Sequence, residues 1–207
     1  MAVKVLGINA SARTHGWTRR MLEEVLRHSR MEGATTKLIN LATAHLNFCT
    51  GSYSELPALC NLEACIGDDF GDSFSSIVWE LLEADAVVFA TPVYWYGPSA
   101  LLKVLIERMT SLENMGAFML RGKVAGIVVV GEEGGAIMAA SSLLITLTHM
   151  GFAIPPLGVA YMLRRWDDSR KTEALEDAAA LGHNVVRMAE MLGEHPWDWI
   201  DGWRGNS

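Results

Sequence analysis

The chain has 207 residues, of which half are hydrophobic and 20% are charged, and its formal net charge is −7. This composition supports one sizeable folded domain and argues against a general nucleic-acid-binding surface, which needs clustered Lys and Arg. No apolar run approaches the length of about 18 residues that a membrane span needs, so no membrane association is predicted.

Short apolar segments alternate along the chain with segments of helical periodicity. Strands are predicted at residues 3–8, 36–41, 85–91, 123–131 and, as an edge strand because of Pro155 and Pro156, 152–160. Helices are predicted at residues 18–29, 72–84, 100–109 after the N-cap Ser99, 136–150 and 170–192. Residues 42–70 show no sustained periodicity and are predicted to form a long loop.

This alternation predicts an α/β fold with a doubly wound, five-stranded parallel sheet and helices on both faces. A single domain is expected over residues 1–195, followed by a Trp-rich tail over residues 196–207. The helix at 136–150 is apolar nearly all round, so we expect it to be buried on more than one side. Ligands of such a sheet bind beyond the carboxyl ends of the strands, which directs attention to three loops.

The loop after the first strand is polar and leads directly into a helix. It contains Ser11, Arg13, Gly16 and Thr18. Free backbone N–H groups at a helix N-terminus attract anions, and an Arg adds a charge-assisted contact, so the loop is predicted to bind a phosphate. The alternative is a polar loop in which Thr18 serves only as the helix N-cap.

The loop after the third strand carries consecutive aromatic residues. Tyr94, Trp95 and Tyr96 cannot all point into the core, so some are expected at a rim where they could contact a flat ligand, and Gly97 would let the backbone approach it. Alternatively, Tyr94 and Tyr96 pack against neighbouring loops or a partner subunit.

The loop after the fourth strand contains Glu132, Gly134 and Gly135. Adjacent glutamates, Glu132 and Glu133, make a poor phosphate site, so this loop is expected to meet an uncharged part of the ligand. Together the three loops describe one ligand with a phosphate at one end and a flat ring at the other.

These elements resemble the NADPH-dependent FMN reductase family of flavodoxin-like proteins, close to the iron–sulfur flavoproteins. Ala10 to Thr18 matches the family's Gly-Ser-Pro-Arg-x-x-Gly-Asn-Thr, and Thr91 to Tyr94 matches its Ser-Pro-x-Tyr. Leu102 to Arg108 matches Leu-Lys-x-x-x-Asp-Arg, and Asp68-Asp69 matches a family Asp-Asp. The chain departs from the family pattern where Ala10, Ala12 and Trp17 replace Gly, Pro and Asn.

The resemblance implies a flavodoxin-like fold that binds FMN, with the backbone from Pro92 to Gly97 lining the isoalloxazine and Glu132 to Gly135 closing its other side. The expected cofactor-binding residues are Ser11, Arg13, Gly16, Trp17, Thr18, Pro92, Val93, Tyr94, Trp95, Tyr96, Gly97, Glu132, Gly134 and Gly135.

The cysteines Cys49, Cys60 and Cys65 lie within the long loop, where iron–sulfur flavoproteins hold a cluster with four cysteines. The sequence contains only three cysteines, one too few for the usual cluster. A zinc site completed by His45 is the alternative, but it lacks the usual short Cys-x-x-Cys spacing. We expect no metal, and the odd cysteine count favours a reducing, cytoplasmic location.

The resemblance further implies an NAD(P)H oxidoreductase that passes hydride to bound FMN and on to a small acceptor such as a flavin, quinone, azo compound or metal ion. We expect no catalytic acid or base, since the cofactor supplies the chemistry. A homodimer or homotetramer is expected. The alternatives are a flavodoxin-type electron carrier and a cofactor-free binding protein on the same fold.

Overall fold

The computed structural model describes residues 2–13, 15–67, 71–114 and 117–195. Its strands are β1 (Lys4–Asn9), β2 (Thr35–Asn40), β3 (Ala86–Tyr94), β4 (Gly97–Pro98), β5 (Val124–Gly131) and β6 (Val159–Leu163). Its helices are α1 (Trp17–Met31), α2 (Ser52–Glu55), α3 (Leu62–Gly67), α4 (Phe74–Glu83), α5 (Ala100–Glu113), α6 (Ala136–His149) and α7 (Asp168–Glu194). The Asp68-Asp69 match and the Trp-rich tail lie outside the described residues.

Five parallel strands form the sheet in the order β2-β1-β3-β5-β6, which is the flavodoxin-like order, and β4 adds a short hairpin to β3. The predicted doubly wound parallel sheet is therefore confirmed. The predicted bounds of the last strand, 152–160, are wrong. β6 begins only at Val159, and Ala153 forms an isolated bridge with Val124. Pro155 and Pro156 lack the N–H groups that a continuous ladder needs.

The strands alternate their side chains between two apolar cores, one on each face of the sheet. In β3, Val87 and Phe89 pack in the core that contains α4, α5 and α6. Ala86 and Val88 lie in the second core, which contains α1 and α7. This covering of both faces explains why the strands read as apolar runs rather than as alternating patterns.

Helix α6 buries one side only, so the expectation of burial on several sides is wrong for the single chain. Ala139, Leu143 and Leu147 are buried, whereas Ile137 and Ile145 are 56% and 72% exposed. Alanines and leucines make up the buried side, and the isoleucines lie on the side that faces away from the sheet. The exposed apolar side is consistent with the expected homo-oligomer.

The segment between β2 and α4 contains the short helices α2 and α3, and polar groups of α5 and the residue after it hold this segment in place. Arg108 is buried, pairs with Asp72 and donates to the carbonyl oxygen of Cys65. Asn114 donates to the carbonyl oxygens of Pro57 at 2.6 Å and Cys60 at 2.7 Å. These long-range contacts, rather than helical periodicity, order the segment. None of the helices in the described ranges has the length and hydropathy of a membrane-spanning helix.

Candidate functional site

The loop between β1 and α1 presents hydroxyl and backbone N–H groups at the carboxyl edge of the sheet. Ser11 is buried, and its Oγ accepts a hydrogen bond from the Arg13 N–H at 3.1 Å. Gly16 precedes the helix, and within the described part of the chain no side chain caps the first turn and no acidic residue lies in it. These first-turn N–H groups are suited to an anion.

Thr18 is not the N-cap, so the capping role assigned to it in the alternative is wrong. The helix begins one residue earlier, at Trp17, and Thr18 is buried in its first turn. Trp17 lies partly buried against the core of α1 and α7, with the Arg20 guanidinium 4.7 Å and the Lys171 Nζ 6.0 Å from its ring. The Trp that replaces the family's Asn thus packs toward α7 while still bordering the cavity described below.

Two buried polar residues fix the loops in position: Asn9, which was not predicted, and Ser99, which was predicted only as a helix N-cap. The Asn9 Nδ2 donates to Asn40 Oδ1 at 2.9 Å, which links the ends of β1 and β2. The Ser99 Oγ donates to the Ala10 carbonyl at 2.8 Å, and the Ser99 N–H donates to Thr91 Oγ1 at 2.9 Å. Ser99 also caps α5 as predicted, since its Oγ accepts from the Leu102 N–H. Asn9 could have been identified from the sequence, because it is the polar residue that ends an apolar strand.

A two-residue turn joins β3 to β4 and carries the aromatic residues. Tyr94 pairs with Gly97, and both turn residues have positive φ, 49° at Trp95 and 64° at Tyr96. Positive φ at both positions is the feature of a type I′ hairpin, which normally uses Asn and Gly. The left-handed conformation therefore falls on two aromatic residues and not on Gly97. It costs about 1–3 kcal/mol at each, a strain that surrounding structure must hold.

All three aromatic side chains of this hairpin are exposed, and Trp95 is 96% exposed. The expectation that they could not all point into the core is confirmed. Tyr96 lies against Gly135 of the loop after β5, where a Cβ on Gly135 would be 3.1 Å from Tyr96 Cδ1. The packing alternative therefore describes Tyr96, while Tyr94 borders the cavity.

The loop after β5 carries its glutamates as ion pairs with the segment that follows β6. Glu132 lies 2.8 Å from Arg164, and Glu133 lies 2.7 Å from Arg165. Adjacent negative charges are thus offset by adjacent positive ones. The two arginines had no motif to single them out, and only the pairing of β5 with β6 brings them here.

A cavity of about 730 Å³ lies where the loops after β1, β3 and β5 converge, a size typical of small-molecule sites. The predicted residues that line it are Ser11, Arg13, Gly16, Trp17, Thr18, Pro92, Val93, Tyr94 and Glu132. The predicted residues that do not line it are Trp95, Tyr96, Gly97, Gly134 and Gly135. Further lining residues that were not predicted are His15, Arg19, Arg20, Glu23, Val130, Gly131 and Arg164.

The three cysteines are free thiols in the segment before α4. Burial raises the pKa of the Cys60 thiol, and the nearby Cys49 and Cys65 add to the same shift. Over residues 2–13, 15–67, 71–114 and 117–195, no group of three or more His, Cys, Asp or Glu side chains is arranged to hold a metal ion.

Comparison with known proteins gives consistent matches. Residues 3–167 match the family described as NADPH-dependent FMN reductase. An iron-sulfur flavoprotein of Methanocaldococcus jannaschii is 37% identical over 132 residues, which cover 63% of each chain and so less than two thirds of that relative. An iron-sulfur flavoprotein of Archaeoglobus fulgidus is 30% identical over 188 residues, covering 91% of this chain and 81% of the relative.

Among solved structures, RosB with bound 8-demethyl-8-formylriboflavin-5'-phosphate superposes with a TM-score of 0.78 at 21% identity, covering 95% of this chain and 82% of RosB. At this identity the likeness shows a shared fold.

Proposed function

Since the chain belongs to the NADPH-dependent FMN reductase family, we propose that it is an FMN-dependent oxidoreductase that takes electrons from NAD(P)H and delivers them to a small-molecule acceptor. The observation that carries this proposal is the cavity at the carboxyl ends of β1, β3 and β5. One end of that cavity is formed by the polar loop at the start of α1, and its wall is formed by Pro92 to Tyr94.

The donor set at this cavity fits FMN. The Ser11 hydroxyl accepts from the Arg13 N–H and can donate its own proton to a phosphate oxygen. The Arg13 guanidinium and the first-turn N–H groups of α1 supply further donors at the same end. No side chain of a capping residue competes for these N–H groups in the described structure, because Gly16 occupies that position.

The opposite part of the cavity suits the ring of the cofactor. Pro92, Val93 and Tyr94 provide a wall of apolar and aromatic surface. At Gly131 a Cβ would lie 2.8 Å from the Gly134 carbonyl oxygen and 3.0 Å from Leu163 Cδ2, so a side chain there would disturb the turn that borders the ring.

When bound, FMN supplies the redox chemistry through its isoalloxazine ring. The chain's residues bind and orient the cofactor, and the hydrogen bonds from Ser99 hold the two loops that would enclose it at a fixed separation. The cavity is open to solvent, which would give a nicotinamide and then an acceptor access in turn. Flavins, quinones, azo compounds and metal ions remain the proposed acceptors.

Arg13→Ala tests the phosphate end of the site. Loss of a charge-assisted hydrogen bond should weaken FMN binding about 10-fold to 100-fold, measured by quenching of FMN fluorescence on titration with protein. Arg30→Ala is the matched control, because Arg30 is exposed in the last turn of the same helix, donates to Thr36 at 2.8 Å and does not line the cavity. It should leave the FMN Kd unchanged.

Steady-state assays of the FMN-loaded protein then test the activity. We expect oxidation of NADPH or NADH that depends on FMN and on an added quinone or free flavin. FMN binding without nicotinamide oxidation would support the electron-carrier alternative instead. Failure of the wild-type protein to bind FMN, with Arg13→Ala having no effect, would refute the proposal and favour a cofactor-free binding protein.

A further inference from the structure

Arg164 lies at the far end of the cavity from the phosphate loop and has no part in the assignment made above. It follows β6, and its N–H donates to the Gly131 carbonyl oxygen at 2.9 Å, which extends the ladder between β5 and β6 beyond the strand. Its guanidinium lines the cavity and pairs with Glu132.

The separation across the sheet places one arginine at each end of the cavity. β1 and β6 are three strand spacings apart, about 14 Å at the usual spacing between neighbouring strands. Arg13 stands at the β1 end and Arg164 at the β6 end, and both line the same cavity. Arg164 therefore stands at the opposite end of the cavity from the first turn of α1, where a second anionic group can bind.

The ion pair between Arg164 and Glu132 does not by itself account for an arginine in this position. Their side chains are 44% and 51% exposed. Exposed pairs of this kind stabilise a fold by about 0–1 kcal/mol, so the guanidinium can exchange its carboxylate partner at little cost. A phosphate or pyrophosphate group can accept two hydrogen bonds from the same planar guanidinium and carries up to two negative charges.

Arg165 provides an internal comparison. It follows Arg164 directly, its N–H donates to the Glu132 carbonyl oxygen at 3.2 Å, and it pairs with Glu133. The two arginines occupy the middle of a turn that the Trp166 N–H closes by donating to the Leu163 carbonyl oxygen at 3.0 Å, and of the two only Arg164 lines the cavity. Both arginines are positively charged and exposed, and each pairs with a glutamate, but only Arg164 lines the cavity.

We propose that Arg164 binds a phosphate or pyrophosphate group of the second ligand, the nicotinamide dinucleotide that docks over the ring end of the cavity. This inference rests on the proposed function for the identity of that ligand. Arg164 would leave Glu132 when the dinucleotide arrives, and the anion would take the place of the carboxylate. The FMN phosphate remains at the α1 end.

The test compares Arg164→Gln with Arg165→Gln in the FMN-loaded protein. Arg164→Gln should raise the KM for NADPH at least about 10-fold with kcat at saturation nearly unchanged, because a contact made equally in the ground and transition states is lost. Calorimetric titration with inorganic pyrophosphate should show binding at least about 10-fold weaker than in the wild type. Arg165→Gln should match the wild type in both measurements, and neither variant should change the FMN Kd.

Salt gives a further discriminating measurement. Raising the ionic strength should raise the KM for NADPH in the wild type and in Arg165→Gln, and should raise it less in Arg164→Gln, because screening acts on a contact that this variant lacks.

Equal effects of the two variants, or weakened FMN binding in Arg164→Gln, would refute the inference. If the wild type oxidises neither NADPH nor NADH, the proposed donor is wrong, and pyrophosphate binding still decides whether Arg164 forms an anion site. If free FMN, rather than NADPH, is the ligand whose KM depends on Arg164, the second ligand has been misidentified.

Discussion

Gly135→Ala is expected to disturb both stability and FMN binding, because Gly135 lies where the aromatic hairpin meets the loop after β5. Gly135 has φ +77°, and a Cβ there would lie 3.0 Å from Val93 Cγ1, 3.1 Å from Tyr96 Cδ1 and 3.2 Å from Tyr96 Cα. Favourable carbon–carbon contacts are about 3.5–4.0 Å long. The new methyl group must therefore push the hairpin away.

The expected loss in the free energy of unfolding of Gly135→Ala combines two effects. A left-handed conformation costs an Ala about 1–2 kcal/mol. Overpacking at a well-fitted contact adds about 1–3 kcal/mol, and the hairpin cannot give way freely because Trp95 and Tyr96 are already strained. We expect the free energy of unfolding of the apoprotein to fall by about 2–5 kcal/mol. Displacement of Val93, which lines the cavity, should raise the FMN Kd at least about 10-fold.

Two glycines separate these contributions. Gly33 has φ +88° with nothing within 4 Å of an added Cβ, so Gly33→Ala carries the backbone strain alone, about 1–2 kcal/mol. Gly134 has no positive φ and equally open surroundings, so Gly134→Ala should be close to neutral. Urea denaturation followed by circular dichroism gives the stabilities, and FMN fluorescence quenching gives the Kd. The reasoning is refuted if Gly135→Ala loses no more stability than Gly33→Ala and binds FMN as Gly134→Ala does.

Two further predictions concern the packing of α7 and the cysteine segment. Gly182→Ala should destabilise the protein by about 1–3 kcal/mol in urea denaturation, because its Cβ would collide with the backbone of α1 at Val25. Gly193→Ala in the same helix is the control. Its Cβ meets nothing within 4 Å, so this variant should be neutral or stabilising by up to about 1 kcal/mol. Equal stabilities would contradict this. The raised pKa of Cys60 leaves less thiolate at a given pH, so its alkylation by iodoacetamide, followed by mass spectrometry, should rise at higher pH in the folded protein than in the urea-unfolded protein. Coincident pH midpoints for Cys60 in the two states would show that burial does not shift its pKa.

Local sequence determined the elements and much of the phosphate end of the site. A strand such as Val124–Gly131 is apolar throughout because both of its faces are covered, and that pattern is visible without any tertiary information. Ser11, Arg13 and Gly16 are adjacent in the chain at the start of a helix, so their convergence follows from one strand-to-helix turn. The N-cap at Ser99 could also be predicted from the sequence, since capping is a local interaction.

Other features depended on contacts between distant segments, and only the tertiary structure decided them. The start of β6 depends on which residues of the last strand find partners on β5. The left-handed turn falls on Trp95 and Tyr96 because the β3–β4 register places it there, against the propensity of aromatic residues. Arg164 reaches the cavity because parallel strands align their carboxyl ends, although it lies more than 150 residues from Ser11 along the chain. The sequence by itself thus determined the class of fold and one end of a ligand site, and the packing of the sheet decided what stands at the other end.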